Sequence, residues 1–271
     1  MINMHDYHTR YRTINFDEYK KNSHEIVCIK FSEGNYLKYQ QAVDDAFMHH
    51  EQGRIVLGYA FCRPIDNFGA IISGRQHADT YLEATKDVRH IIAGDVLDGP
   101  ELIKVNGVWY NDPAKITADL TFQIVLDFFV SLKLASLSNL RLIYGNIGSW
   151  YSFYEAKWRK IENKEEHWLN NKDIISGSWE ARYKANGPAG FGPFTNPILW
   201  QWDEASIATP PFPIKGVYGA NGRIIDSDKN QLMIPFNEFL DLIPNDKRGK
   251  YKQSVPYRIR KYFRQHRIKP R

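Results

Sequence analysis

The chain has only two cysteines among 271 residues, too few for a disulfide framework. Cys28 and Cys62 both lie in apolar, strand-like runs, 26–29 and 59–62, where buried free thiols are the expected state. No apolar run is long enough to span a membrane, and Met1-Ile2-Asn3-Met4-His5-Asp6 lacks the basic start and apolar segment of a secretory signal. There is no Gly-rich phosphate loop, no Ser-centred elbow, no internal repeat and no low-complexity segment. His5 and His8 flank Asp6 without further ligands at a recognisable spacing, so no metal site is expected. These absences exclude a disulfide-stapled miniprotein, a membrane span, a P-loop enzyme and an α/β-hydrolase.

What remains has the make-up of a globular protein: 43% hydrophobic and 25% charged residues, in a length that suits one large α/β domain. Aromatic content is high, with 16 Tyr and 7 Trp, which serve large cores and sugar-stacking clefts alike. Charge is unevenly placed. Residues 247–271 hold 11 Lys and Arg and no Asp or Glu, leaving 25 basic against 31 acidic side chains in 1–246. An acidic body thus carries a strongly basic tail, which suggests an anionic partner for the tail.

Segments 2–6, 25–31, 54–61, 88–97 and 140–144 read as strands, of which 25–31 and 54–61 are largely apolar, as in a parallel sheet buried on both faces. Helical patterns at 16–21, 40–50, 74–85 and 148–160 alternate with them. Asp112-Pro113 reads as the N-cap and first residue of the longest helix, whose buried face is Ile116, Leu120, Ile124, Phe128 and Leu132. Later the helices thin out, and 178–183, 198–202 and 223–225 read as three more strands. The expected fold is α/β: a modified TIM-like barrel of five β/α units followed by three strands with few helices, over 1–246.

The segment Val88-Arg89-His90-Ile91-Ile92-Ala93-Gly94-Asp95-Val96-Leu97-Asp98-Gly99-Pro100-Glu101 organises the chain. It begins as a buried strand and turns acidic at its end, where an α/β barrel places its chemistry. Strand ends also carry Asp6, Glu33, Tyr59, Tyr144, Trp179, Trp202 and Asp226, which converge on one face if the barrel closes.

Four segments then resemble glycoside hydrolase family 25, the Chalaropsis-type lysozymes, over residues 1 to about 230. Ile26-Val27-Cys28-Ile29-Lys30-Phe31-Ser32-Glu33-Gly34 is similar to the family's Lys-x-x-Glu-Gly strand. Gly58-Tyr59-Ala60-Phe61-Cys62-Arg63-Pro64, with Gln76-His77-Ala78, resembles its Gly-x-Tyr-His-Phe-x-Arg-Pro segment and Gln-Ala helix. Trp179-Glu180-Ala181-Arg182-Tyr183 resembles its Trp-x-Ala-x-Tyr strand. Trp200-Gln201-Trp202 and Gly222-Arg223-Ile224-Ile225-Asp226 resemble its Trp-Gln-Tyr strand and closing Gly-x-Val-Asp.

The resemblance implies hydrolysis of the β-1,4 bond between N-acetylmuramic acid and N-acetylglucosamine in peptidoglycan, without metal or organic cofactor. The family's acidic set is a first-strand Asp, a fourth-strand Asp-x-Glu pair whose Glu is the general acid, and a last-strand Asp. In the simplest alignment Asn3 takes the first position, with Asp6 three residues on, and Asp95-Val96-Leu97 takes the pair. Leu97 cannot donate a proton, so Asp98 or Glu101 is the substitute acid, with Asp95 and Asp226 orienting the substrate or stabilising charge. Tyr59, Glu33, Tyr144, Trp179, Tyr183 and Trp202 are the expected sugar-binding set. The alternative is a barrel that keeps the glycan cleft without the acid and serves as a cell-wall-binding or virion structural protein. The chain is expected to be made in the cytoplasm and to act at the cell wall or in a phage particle. The tail 247–271 is expected to meet an anionic polymer or an acidic protein surface, not a membrane or nucleic acid.

Overall fold

The structure is a computed structural model that describes residues 3–7, 12–21, 25–66, 68–99, 104–105, 108–109, 116–135, 140–146, 156–182, 187–203, 213–219, 224–226 and 229–251. Eight strands form a closed barrel: β1 (Asn3–Tyr7), β2 (Ile26–Glu33), β3 (Ile55–Phe61), β4 (Ile92–Asp98), β5 (Leu140–Asn146), β6 (Gly177–Ala181), β7 (Leu199–Asp203) and β8 (Lys229–Leu232). Neighbours run β1-β8-β7-β6-β5-β4-β3-β2, and β2 pairs back onto β1. Every pairing is parallel except those of β8, which runs antiparallel to both β1 and β7. The expected barrel is therefore present.

The pleat sorts side chains into two layers. Val27, Ile29, Phe31, Val56, Ala60, Leu97 and Ile143 face the helices, while Ile26, Cys28, Leu57, Val96, Leu142, Trp179 and Leu199 fill the barrel. The outer layer is covered by α1 (Phe16–Tyr19), α2 (Gln40–Glu51), α3 (Gly74–Thr85) and α4 (Ala118–Leu134), which bury residues such as Tyr19, Ala46, Tyr81 and Phe128 against it. A capping box starts α3: Ser73 Oγ accepts from Gln76 N, and Gln76 returns a bond to Ser73 N. Both cysteines are buried, and neither forms a disulfide.

Several expectations are corrected. Helix α4 starts at a Thr117 cap whose hydroxyl accepts from Leu120 N, not at Asp112-Pro113. Val88 ends a 3-10 turn, and β4 begins only at Ile92. The eighth barrel strand is Lys229–Leu232. Ile224–Asp226 belongs instead to a separate three-stranded sheet with Pro213–Gly219 and Arg12–Ile14. Of the helix expected at 148–160, the described residues contain Ala156–Arg159.

The segment after β8 closes the base of the barrel. A short helix, Phe236–Asp241, and the turn after it bury Phe239, Leu240 and Ile243 against the interior cluster, where Ile26, Ile55 and Ala93 lie near the starts of β2, β3 and β4. Two 3-10 turns, Asn245–Lys247 and Gly249–Tyr251, then strap across that end. Lys250 N donates to Gly53 O at 3.0 Å, and Lys250 Nζ pairs with Glu25 at 2.7 Å. Gly249 (φ 54°) is required there, since a Cβ would meet Gly53 O at 2.5 Å. The packed structure thus continues beyond residue 246. The rest of the basic tail, 252–271, lies outside the described residues.

Candidate active site

The register of the barrel assembles one row at the C-terminal ends of its strands. Glu33 pairs with Phe61, Phe61 with Asp98, Asp98 with Tyr144, and Tyr144 with Trp179. Glu33 enters this row because β2 is irregular between Lys30 and Ser32, which inserts one extra residue relative to β3. One step deeper, Lys30, Tyr59, Val96 and Leu142 form the next row. Four of the expected site residues, Glu33, Asp98, Tyr144 and Trp179, therefore share one level, with Tyr59 beneath them.

Asp98 follows inward-facing Val96 by two residues and is partly exposed. Its main chain is fixed on both sides: Cys62 N donates to Asp98 O at 3.1 Å, and Gly99 N donates to Tyr144 O at 3.0 Å. Tyr144 is the aromatic wall. Its ring packs edge-on against Trp179 at 4.7 Å, and its hydroxyl donates to Gln201 at 2.6 Å. Trp179 is only 3% exposed, so it supports Tyr144 more than it offers a surface to a sugar.

Glu33 is committed to an internal cation cluster. Lys30 Nζ donates to it at 2.6 Å, Arg63 Nε at 2.6 Å and the Tyr39 hydroxyl at 3.2 Å. Burial pushes the carboxyl pKa up, but the Lys30 hydrogen bond and the charges of Lys30 and Arg63 outweigh it and hold Glu33 below the ordinary carboxylate value. Lys30 lies 4.3 Å over the Phe61 ring. Burial draws its pKa below the usual lysine value, against the hydrogen bond it donates to Glu33 and the charges of Glu33 and Asp98. Glu33 thus organises the wall beside Asp98; its oxygens are already engaged, which corrects its assignment as a direct sugar ligand.

Arg63 is held from behind by a residue given no role from the sequence. His77 Nε2 accepts from Arg63 N at 3.0 Å, and Nδ1 lies 2.8 Å from Ser73 O, the geometry of a neutral Nδ1–H tautomer. Burial dominates and lowers the His77 pKa to about 4, despite its two backbone hydrogen bonds.

Asp95 is corrected outright. It is fully buried on the helix side of β4, where Arg89 grips both oxygens at 2.7 and 2.8 Å and Tyr81 donates at 2.9 Å. Gly58, paired with Asp95 in register, leaves the space for Tyr81: a Cβ there would overlap the phenol oxygen. Asp95 is therefore structural. The pair of positions facing the barrel interior is Val96 and Asp98, one residue on from the simplest alignment.

The same parity applies to β1. Met4 pairs with Ile26 and Asp6 with Cys28, both partners being interior residues, whereas His5 pairs with outward Val27. Asp6, not Asn3, holds the strand position in step with the interior. Asp226 pairs with Pro213 in the separate sheet, three residues before β8 enters the barrel at Lys229 opposite Asp203. It is therefore not on the last barrel strand. The side chains of Asp6, Trp202 and Asp226, and the whole of Glu101 and Tyr183, lie outside the described residues. Among the described residues there is no group of three or more His, Cys, Asp or Glu able to hold a metal ion. No helix among them is long and apolar enough to cross a membrane.

Fold and mouth together define an α/β barrel with a partly exposed carboxylate and an aromatic wall at its strand ends. Its structural neighbours are lysozymes of glycoside hydrolase family 25 and related muramidases and endolysins. The bacterial lysozyme from Streptomyces coelicolor shares 18% identity over 90% of this chain and 98% of its own, with a TM-score of 0.65. A family GH25 lysozyme from Aspergillus fumigatus shares 17% over 89% and 98%, with a TM-score of 0.61. The catalytic domain of an endolysin from bacteriophage P40 of Listeria monocytogenes shares 16% over 86% and 93%, with a TM-score of 0.55. By sequence, the chain matches no protein-family model and none of the curated proteins.

Proposed function

We propose that this chain is a peptidoglycan muramidase that hydrolyses the β-1,4 bond between N-acetylmuramic acid and N-acetylglucosamine, with Asp98 as general acid. The observation that carries this reading is the inward row Glu33–Phe61–Asp98–Tyr144–Trp179 at the strand ends. Asp98 is the member of that row with both a carboxyl group and partial exposure. Asp6, at the strand position paired with Cys28, is the second carboxylate of the mechanism, which in glycoside hydrolysis works with the first across roughly 5–9.5 Å. Tyr144 supports the sugar ring, and the Lys30–Glu33–Arg63 cluster fixes the wall beside the acid. The lysozyme fold of the neighbours supports the substrate class. A phage origin is part of this reading and is supported by the endolysin likeness alone.

A second reading rests on Val96, which stands two residues before Asp98, where the resembling family carries a carboxylate. With that charge replaced by an alkyl group, the barrel binds glycan without cutting it and serves the cell wall or a virion as an adhesion module. One experiment separates the two. Wild type on purified peptidoglycan should release reducing ends between pH 4 and 8, and Asp98→Asn should cut turnover about 10²–10⁴-fold without unfolding the protein. Wild type that binds peptidoglycan but releases nothing establishes the adhesion reading.

A further inference from the structure

Phe68 is 97% exposed, the most exposed large apolar side chain among the described residues. It stands near the tip of the connection from β3 to α3. That connection is ordered by its own hydrogen bonds. The Asp66 carboxylate accepts from Phe68 N at 2.9 Å and Ala70 N at 2.8 Å, Asp66 N donates to Ala70 O at 2.9 Å, and Ile72 N donates to Pro64 O at 2.9 Å. Gly69, at φ 82°, makes the turn possible. Ile71 beside it is 55% exposed. Hydrogen bonds thus brace the main chain at Phe68, Ala70 and Ile72, while the side chains of Phe68 and Ile71 stay in solvent.

Its location is the candidate mouth. The connection leaves β3 at Phe61, which sits in the row of Asp98, and Cys62 N bonds to Asp98 O. The neighbouring turn after β2 contributes Tyr36, 41% exposed, whose ring packs over Gly34 and whose phenol feels the charges of Arg63, Glu33 and Asp66. Rings and an alkyl group thus stand next to polar groups on the rim. Three side chains are too small a patch for a stable protein partner, which needs about 800 Å² on each side. They suit a pyranose, whose C–H face packs on a ring while its hydroxyls meet the flanking polar groups.

We propose that Phe68 forms a distal subsite that stacks a sugar ring of a long glycan strand engaged at Asp98, with Tyr36 and Ile71 as further exposed apolar side chains on the same two connections. This rests on the muramidase reading and names the form of its substrate: an extended strand, held beyond the bond being cut.

The test is equilibrium binding of long, peptide-free peptidoglycan glycan strands and of a tetrasaccharide of the same repeat to the Asp98→Asn protein, with and without Phe68→Ala or Phe68→Trp. The parent should bind long strands more tightly than the tetrasaccharide. Phe68→Ala should reduce that preference about three- to tenfold, the worth of one aromatic contact, and Phe68→Trp should retain it. An unchanged preference in Phe68→Ala, with both glycans still bound, overturns the subsite and leaves the muramidase reading standing. Failure of the parent to bind either glycan overturns both. Loss of a concentration-dependent dimer in Phe68→Ala, with the preference intact, assigns the ring to contact between copies and also overturns the subsite.

Discussion

Replacing Asp95 by alanine tests whether this residue belongs to the framework or to the chemistry. Its carboxylate is fully buried and takes three hydrogen bonds, two from Arg89 and one from Tyr81. The Arg89 side chain is 15% exposed, so its cation has little access to water as a substitute partner. Removing one member of a buried pair leaves the other uncompensated, which typically costs about 3–5 kcal/mol. At about 2–4 °C per kcal/mol for a chain of this size, Tm should fall by about 6–20 °C. Circular dichroism during heating reads the first quantity, and reducing-end release well below the transition reads the second. Asp95→Ala should lose stability while retaining turnover per folded molecule. The double variant Asp95→Leu/Arg89→Met should regain most of the loss, because no buried charge remains. A variant with unchanged Tm and abolished turnover would return Asp95 to the active site and refute the register argument.

Two further outcomes are expected. His77 has its folded pKa lowered to about 4 from 6.5, so the unfolded chain binds a proton first as pH falls. Its contribution is complete above pH 6.5 and is lost progressively toward pH 4, to a total of about 3 kcal/mol; Tm measured across that window should show the slope, and His77→Gln should flatten it. Truncation after Tyr251, which keeps the strap at the barrel base, should weaken attachment to whole cell walls, and rising salt should mimic it as charge contacts are screened. Equal wall binding by truncated and full-length protein at low salt would remove the anchoring role of the tail.

The alternation of apolar strands and helices was legible because a parallel barrel buries both faces of its strands. The eighth strand was not. Lys229-Asn230-Gln231-Leu232 is polar, with Leu232 the one apolar side chain, and the apolar Ile224-Ile225 four residues earlier competed for the assignment. At β4 the composition announced a site but not its parity. Asp95 and Asp98 both follow apolar runs; only pairing with β3 and β5, and the presence of Arg89 behind the sheet, tell which faces the mouth. A one-residue slip exchanges the two faces of a strand. His77 was visible within a motif, yet its role depends on the Arg63 main chain fourteen positions earlier in the sequence, a contact no local pattern reports.

The pairing of β1 has a consequence for biosynthesis. β1 is made first, but it lies between β2 and β8, and β8 is not synthesised until residues 229–232. A growing chain can lay down β2 to β5 with their helices while one side of β1 still lacks its neighbour, and such an open strand edge invites pairing with other chains. The helix that fills the barrel base comes later still, at Phe236–Asp241. Ribosome-bound chains halted before residue 229 should therefore be protease-sensitive at β1, and protection should arrive only once residues 229–241 have been made, because contacts between distant segments form late.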